Sequence, residues 1–229
     1  MPPIISDAAT VYENLARMCA FRGARVTARV APDKFVAMME ADHYARIDAD
    51  RDADDMRGAA RMVIILFSEF KNIDSSAPKF GAFLARVLKE RAHWVSADER
   101  AEFNIVLVFS SAPSSAIARV IAGARAPGIV IEAHIAALFM IVAPEHVCVP
   151  RHTIVPRAEV ERICRELHLV IGNFPALIAS ASAKGSAASG ASGAPDPMAV
   201  WLGLRPGMIV RIDRPCETAG IETIYRRCV

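Results

Sequence analysis

Apolar positions in the N-terminal part of the chain follow two periods, and each period predicts a different element. At residues 8–21, and again at residues 78–93, apolar side chains recur every three to four positions, which predicts amphipathic helices. Near-continuous apolar runs at residues 62–67 and 103–109 are typical of buried strands. The order strand, helix, strand predicts a βαβ unit with parallel pairing. We therefore expect an α/β domain with helices packed on a small sheet.

Glycine, proline and acidic residues indicate where the other N-terminal elements begin and end. Gly23 is suited to end the first helix, and Pro32 to open a second one. Residues 48–55 alternate acidic and small side chains, and we expect a solvated loop there. Residues 129–131 and 137–142 are apolar and are expected to complete the sheet.

The C-terminal stretch changes from helical to strand periodicity at a Pro-Gly turn. Residues 198–204 predict a helical turn, and residues 208–213 alternate as a strand after Pro206-Gly207. Arg214-Pro215 is expected to break this strand, and residues 221–228 to return as a second one. The pattern predicts a small α+β domain that ends in a hairpin with a basic rim.

Two features divide the chain. Pro144-Glu145-His146 follows the last apolar run of the first domain, so we expect domains at residues 1–143 and 144–229. A tract of Ala, Ser and Gly at about residues 179–195 has almost nothing apolar to bury and is expected to be a flexible insert.

Composition limits the classes of protein to consider. Hydrophobic residues make up 53% of the 229 residues and charged residues 23%, which excludes disorder of the whole chain. The formal net charge is +2, so contact with nucleic acid would need local clustering of basic residues. The five cysteines are scattered, no apolar run reaches the roughly 20 residues that span a bilayer, and no secretory signal opens the chain. We expect a soluble intracellular protein with free thiols and no membrane contact.

Three short patterns could carry chemistry, and each has a simpler interpretation. Glu69 and Lys71 follow a strand and acidic residues, as in metal-dependent nucleases, but such turns are common at strand ends. The serine-rich loop at residues 110–115 could bind a phosphate at a helix N-terminus, or could simply cap the helix. His146 and His152 flank a cysteine, but an extended strand would point neighbouring side chains to opposite faces, which favours a structural role over a metal site.

The C-terminal residues resemble one family closely. The segments that carry the resemblance are Asp196-Pro197, Leu202-Gly203-Leu204-Arg205, Gly207, Val210, Ile212, Arg214-Pro215, Glu217-Thr218-Ala219-Gly220 and Tyr225-Arg226. They resemble the C-terminal signature of the fifth subunit shared by eukaryotic nuclear RNA polymerases, a family that has an archaeal counterpart. Residues 146–152 resemble the segment that opens the assembly domain of that family. Cys216 and Ile221-Glu222 depart from its usual residues.

The resemblance implies a non-catalytic polymerase subunit with no metal and no cofactor. Its N-terminal domain would form part of the jaw near downstream double-stranded DNA, and its C-terminal domain would dock on the largest subunit, among other subunits. The implied DNA-proximal residues are Ser111, Pro113, Ser114, Ser115 and Arg119. The implied interface residues are His146, Pro150, His152, Arg205, Arg211, Arg214, Glu217, Thr218, Gly220, Tyr225 and Arg226.

The resemblance also sets expectations for location and origin. A nuclear location follows from the family. The excess of arginine and alanine, with the small-residue tract, suits a diverged lineage such as a large DNA virus, for which the virion, host nucleus or host cytoplasm is expected. The alternatives from other classes are a metal-dependent nuclease and a free-standing DNA-binding module, and the near-zero net charge argues against the latter.

Overall fold

The computed structural model describes residues 4–52, 59–68, 76–94, 101–177 and 195–229. The chain folds as two compact units, Met1–Ile141 and Val142–Val229. Each unit has its own sheet, so the fold is a mixed α/β fold with two sheets and helices. The jaw and assembly roles expected for the two parts of the chain stay predictions.

The first unit is built on a five-stranded sheet in the order β1-β2-β3-β4-β5. Its strands are β1 (Arg25–Arg29), β2 (Tyr44–Arg51), β3 (Ala60–Phe67), β4 (Glu102–Phe109) and β5 (Ile129–Ile135). Its helices are α1 (Ile4–Phe21), α2 (Pro32–Ala41), α3 (Ala77–Lys89) and α4 (Ser115–Gly123). The first three strands pair antiparallel, whereas β3, β4 and β5 are parallel and are connected by α3 and α4. The predicted βαβ arrangement is therefore present.

Helices α3 and α4 cover one face of this sheet because their apolar stripes meet alternate residues of β3 and β4. Phe80 and Phe83 from α3 and Ile117 from α4 belong to one buried cluster with the strand residues. The Phe67 and Phe109 rings stack with centroids 5.1 Å apart and an interplanar angle of 8°. This cluster supplies much of the apolar burial that stabilises the unit.

Helix α1 ends where the sequence predicts. The Gly23 and Ala24 N–H groups donate to Ala20 O (2.9 Å) and Cys19 O (2.8 Å), which is the Schellman pattern. Gly23 has φ 67°, a conformation that glycine adopts without a steric penalty. The chain can therefore turn directly from α1 into β1.

Two N-terminal expectations are wrong. Asp48 and Asp50 lie inside β2 and not in a loop: acidic and small residues alternate there because Ala45, Ile47, Ala49 and Arg51 form its buried face. The segment 137–142 is not a strand, since a 3-10 helix spans Ala136–Phe139 and Met140 and Ile141 are exposed. An apolar run alone does not distinguish a strand from a turn that buries a single ring, here Phe139.

The second unit contains a four-stranded sheet in the order β6-β8-β9-β7. Its elements are β6 (Arg151–Ile154), α5 (Arg157–Glu166), β7 (Ala176–Leu177), α6 (Pro197–Leu202), β8 (Ile209–Cys216) and β9 (Gly220–Cys228). Strands β6, β8 and β9 pair antiparallel, and β7 pairs parallel to β9. Trp201, Leu204 and Ile209 are all buried in this unit.

Strand β8 continues through Pro215, so the expected break at Arg214-Pro215 is wrong. Strand β6 pairs with β8 up to Asp213, whereas Pro215 pairs with Ile221 of β9. Beyond Asp213, β8 has a partner strand on one side only. It is an edge strand there, and an edge strand tolerates a proline.

Several expectations fall outside the described residues. Residues 178–194, which include most of the small-residue insert, are not described, and neither are Glu69 and Lys71. Among the helices that are described, none is long and apolar enough to cross a membrane.

Candidate functional site

The β8–β9 hairpin carries most of the predicted interface residues, and its turn sets their positions. Cys216 pairs with Gly220 across a three-residue turn that contains Glu217 and Thr218. Gly220 has φ 73°, a left-handed conformation that disfavours other residues. Glu217, Thr218 and Gly220 are exposed at the tip. From this turn, residues at equal distances along the two strands face each other.

One face of the hairpin, which we call the α5 face, holds a hydrogen-bonded set around Asp213. Arg211 Nε donates to Asp213 Oδ1 at 2.9 Å, and Thr223 Oγ1 donates to the same oxygen at 2.7 Å. These bonds, first that of Thr223 and then that of Arg211, lower the pKa of the Asp213 carboxyl. Arg151 of β6 faces Asp213 in the register. The set is exposed and remains charged at neutral pH.

Tyr225 connects this set to the apolar core under α5. It faces Arg211 across the hairpin, and its ring lies edge-on to Phe174 with centroids 6.3 Å apart. Phe174 is buried with Ile163 of α5 and Ile209 of β8. The predicted interface residues Arg211 and Tyr225 therefore lie on the face that α5 partly covers.

The opposite face holds the other predicted arginines of the hairpin. Arg214 faces Glu222, with Arg214 Nη2 2.7 Å from Glu222 Oε2, and Arg226 faces the buried Val210. Cys216 Sγ lies 3.3 Å from Thr218 Oγ1. This bond and the Ala219 and Thr218 N–H groups lower the pKa of the Cys216 thiol.

The structure thus divides the predicted interface residues between two faces. Successive side chains of a strand point to opposite sides of the sheet, so Arg211 cannot share a flat surface with Arg214. Arg205 is half-buried just after α6. The structure therefore does not place all the predicted arginines on a single rim.

The segment that opens the second unit is a turn followed by β6. His146 is exposed, and its Nδ1 accepts from the Cys148 N–H at 3.2 Å. The half-buried His152 uses its Nδ1–H to donate to the Pro150 carbonyl at 2.7 Å. Both rings are thus occupied in local hydrogen bonds. Across the described part of the chain, no group of three or more His, Cys, Asp or Glu residues could hold a metal ion.

In the first unit, the predicted DNA-proximal loop leads into α4. Ser114 is the N-cap of this helix, and its side chain accepts from the Ile117 N–H at 3.4 Å. Ser111, Ser115 and Arg119 are exposed, and Pro113 is half-buried. Ser114 therefore caps the helix, while Ser111, Ser115 and Arg119 stay accessible.

The aspartates proposed for a nuclease site face arginines instead. Asp48 Oδ1 lies 2.7 Å from Arg46 Nη2, and Asp50 Oδ2 lies 2.9 Å from Arg61 Nη1. A divalent ion would have to displace these guanidinium groups, because both compete for the same carboxylate oxygens. The described residues provide no support for the nuclease alternative.

Some residues of these sites were not identified from the sequence. Asp213, Thr223 and Glu222 are the cross-strand partners, and their equal spacing from the hairpin turn was a usable signal. In the first unit, the buried Arg22 forms two hydrogen bonds of 2.9 and 2.8 Å to Glu132, which also accepts from His134 at 3.0 Å. No local pattern relates positions so far apart in the chain.

Comparison with known proteins identifies the family to which the chain is related. A family model described as RNA polymerase Rpb5, C-terminal domain, matches residues 193–229. The chain is 30% identical to the DNA-directed RNA polymerase subunit Rpo5 of Methanocaldococcus jannaschii over 82 residues, which are 36% of this chain and 86% of the archaeal protein. Rpo5 of Methanococcus vannielii is 33% identical over 84 residues, 37% of this chain and 87% of that protein.

A longer match comes from African swine fever virus. Its DNA-directed RNA polymerase RPB5 homolog, from the Pretoriuskop isolate, is 28% identical over 201 residues, 86% of this chain and 85% of the viral protein. Short relatives match about a third of the chain, and the viral relative matches both units. The resemblance noted in the sequence is confirmed: the chain belongs to the Rpb5 family of DNA-directed RNA polymerase subunits.

Proposed function

We propose that this protein is a non-catalytic subunit of a multisubunit DNA-directed RNA polymerase. Its second unit docks on the largest subunit, and its first unit forms part of the jaw beside downstream DNA. No residue of this chain takes part in nucleotide addition. The α5 face and the segment around His146, Pro150 and His152 contribute to the docking surface.

One observation carries this proposal: relatives that are long enough for only one of the two units are named as polymerase subunits. The matched 82 residues make up 86% of the M. jannaschii protein, so that protein is shorter than the first unit alone. The family model falls wholly within the second unit. The part of the chain that the family model matches is therefore within the part that we assign to assembly.

The first unit supports a DNA-proximal role at the loop before α4. Ser111, Ser115 and Arg119 are exposed next to a helix N-terminus, where backbone N–H groups favour phosphate oxygens. The net charge of +2 agrees with few phosphate contacts, made only within the complex. A nuclear location, or a virion or host-cell location for a viral lineage, is part of this proposal.

Copurification tests the proposal directly. The tagged full chain, isolated from its native source, should bring down the largest subunit of an RNA polymerase in a stoichiometric complex. Coexpression of residues 142–229 with that subunit should give the same pairing. Recovery of the full chain free of polymerase subunits would contradict the proposed function, and binding through residues 1–141 alone would reverse the roles of the two units.

A further inference from the structure

An exposed apolar surface follows α5 in the second unit. Four of five consecutive residues are large, apolar and exposed: Leu167 (47%), Leu169 (36%), Val170 (69%) and Ile171 (44%). We call these four residues the apolar ledge. A contiguous exposed apolar patch is unusual on a soluble domain and typically marks a site of interaction.

The backbone holds the ledge in one conformation. The His168 and Leu169 N–H groups donate to Arg165 O (3.3 Å) and Cys164 O (2.9 Å), a Schellman ending in which His168 takes φ 51°. A 3-10 turn at Ile171–Asn173 follows, with the Asn173 N–H donating to Val170 O at 2.8 Å. A preformed surface loses little conformational entropy when a partner binds.

A buried ring fixes the ledge to the hairpin. Phe174, directly after the 3-10 turn, packs into the core with Ile163 and Ile209. Its ring contacts Tyr225, which faces Arg211 on the α5 face. One buried ring therefore connects the segment that carries the ledge to the hairpin face to which the proposed function assigns docking.

The surroundings of the ledge identify the kind of partner. On the exposed side of α5, Arg162 bridges Glu159 (2.9 Å) and Glu166 (2.8 Å), so the adjoining surface is polar and close to neutral. An apolar centre with a polar rim is the anatomy of a protein–protein interface. An anionic membrane surface would instead require an excess of basic residues.

We propose that the apolar ledge is the apolar centre of the docking surface, and that it packs against apolar side chains of the largest polymerase subunit. This inference rests on the proposed function and adds to it the surface through which the second unit binds. The arginine set of the α5 face then forms the polar border of the same contact.

The test uses the full chain coexpressed with the largest subunit, with the dissociation constant measured for the wild type and the variants. Val170→Asp and Ile171→Asp place a charge where the partner must remove water, and each should weaken binding by about tenfold or more. Both side chains are exposed, so the melting temperature should be unchanged. The matched control is Val36→Asp, the same change at an exposed valine (39%) in α2 of the first unit, which should bind as the wild type does.

The possible outcomes separate the two proposals. Binding of wild type and ledge variants with equal affinity would overturn the ledge assignment and leave the proposed function standing. Failure of the wild-type chain to bind would remove the proposed function and the ledge with it. A dimer of the isolated chain that Val170→Asp dissociates, without a change in affinity for the largest subunit, would make the ledge a self-association surface. Should Val170→Asp fail to fold, Val170→Ala provides the same comparison with a milder change.

Discussion

Arg211 and Arg214 lie three residues apart on β8 and project from opposite faces of the sheet. Arg211 Nε lies 2.9 Å from Asp213 Oδ1 on the α5 face, whereas Arg214 Nη2 lies 2.7 Å from Glu222 Oε2 on the other. Both were predicted to contact the partner. A partner that covers one face of the hairpin reaches only one of them.

We expect Arg211→Ala to weaken binding to the largest subunit and Arg214→Ala to leave it near the wild-type value. Arg211 lies at the polar border of the proposed contact, so its loss should cost roughly 1 kcal/mol of binding free energy, whereas Arg214 lies on the face that the partner does not cover and its loss should cost close to nothing. The measurement is the dissociation constant of each variant with the coexpressed largest subunit. Equal losses for the two variants would mean that the partner wraps around both faces.

The Arg22–Glu132 pair leads to a prediction for stability. The Arg22 side chain is 2% exposed, and Arg22→Met takes the guanidinium away from the Glu132 carboxylate, which should destabilise the first unit by about 3–5 kcal/mol. Urea unfolding measures this. Arg29→Met is the matched control, because the Arg29–Glu13 pair is exposed and its loss should cost about 1 kcal/mol or less. Similar losses of unfolding free energy for the two variants would contradict the role of Arg22–Glu132 as a buried pair that stabilises the first unit.

The same carboxylate gives a pH dependence. Burial would raise the pKa of Glu132, but the Arg22 guanidinium and the His134 hydrogen bond outweigh it and hold the pKa well below its usual range. A lowered folded-state pKa contributes stability that is present above the unfolded value of about 4.3 and is lost as the pH falls below it. Glu132→Gln should therefore flatten the fall in unfolding free energy between neutral pH and acid. If the unfolding free energy of Glu132→Gln fell as steeply in acid as that of the wild type, the fall would have to come from other carboxylates.

Periodicity was enough to predict elements whose burial is uniform, and it failed where burial depends on distant residues. The runs at residues 62–67 and 103–109 are buried along their whole length, with Asn104 as their one polar residue, and they were recognised as strands. Asp48 and Asp50 were assigned to a loop because their pairing with Arg46 and Arg61 is not visible locally. The hairpin residues were identified through resemblance, but their division between two faces depends on the strand register and on the position of α5. The apolar ledge resembles a core segment in the sequence, and its exposure required the structure.

His168 gives a prediction for backbone strain. Its φ of 51° costs a residue with a Cβ about 1–2 kcal/mol, while glycine adds roughly 0.5–1 kcal/mol of unfolded-state entropy. His168→Gly should therefore stabilise the protein by up to about 1 kcal/mol in thermal or urea unfolding. His146→Gly is the control, since φ at His146 is −74° and no strain is relieved there. Stabilisation by both variants would point to the imidazole and not to the backbone.

The loop before α4 combines a structural and a proposed functional role, and two substitutions separate them. Ser114→Ala removes the side chain that accepts from the Ile117 N–H, so it should lower stability by about 1 kcal/mol. Arg119→Ala removes an exposed cation in the first turns of the same helix and should leave stability unchanged. Unfolding of the isolated protein measures both effects.

In the assembled polymerase, Arg119→Ala should have the larger effect on DNA binding, whereas Ser114→Ala has the larger effect on the stability of the isolated protein. If Arg119 contacts a phosphate, its loss weakens DNA binding to a similar extent on all sequences, and the dependence of log K on log salt becomes shallower by about one. Ser114→Ala should change this slope little, because a capping hydroxyl makes no ionic contact. Arg125→Ala offers a matched control, as Arg125 is an exposed arginine just after α4. Equal salt slopes for wild type and Arg119→Ala, together with equal stability of elongation complexes, would reduce the loop to a helix cap and move the DNA contact elsewhere in the first unit.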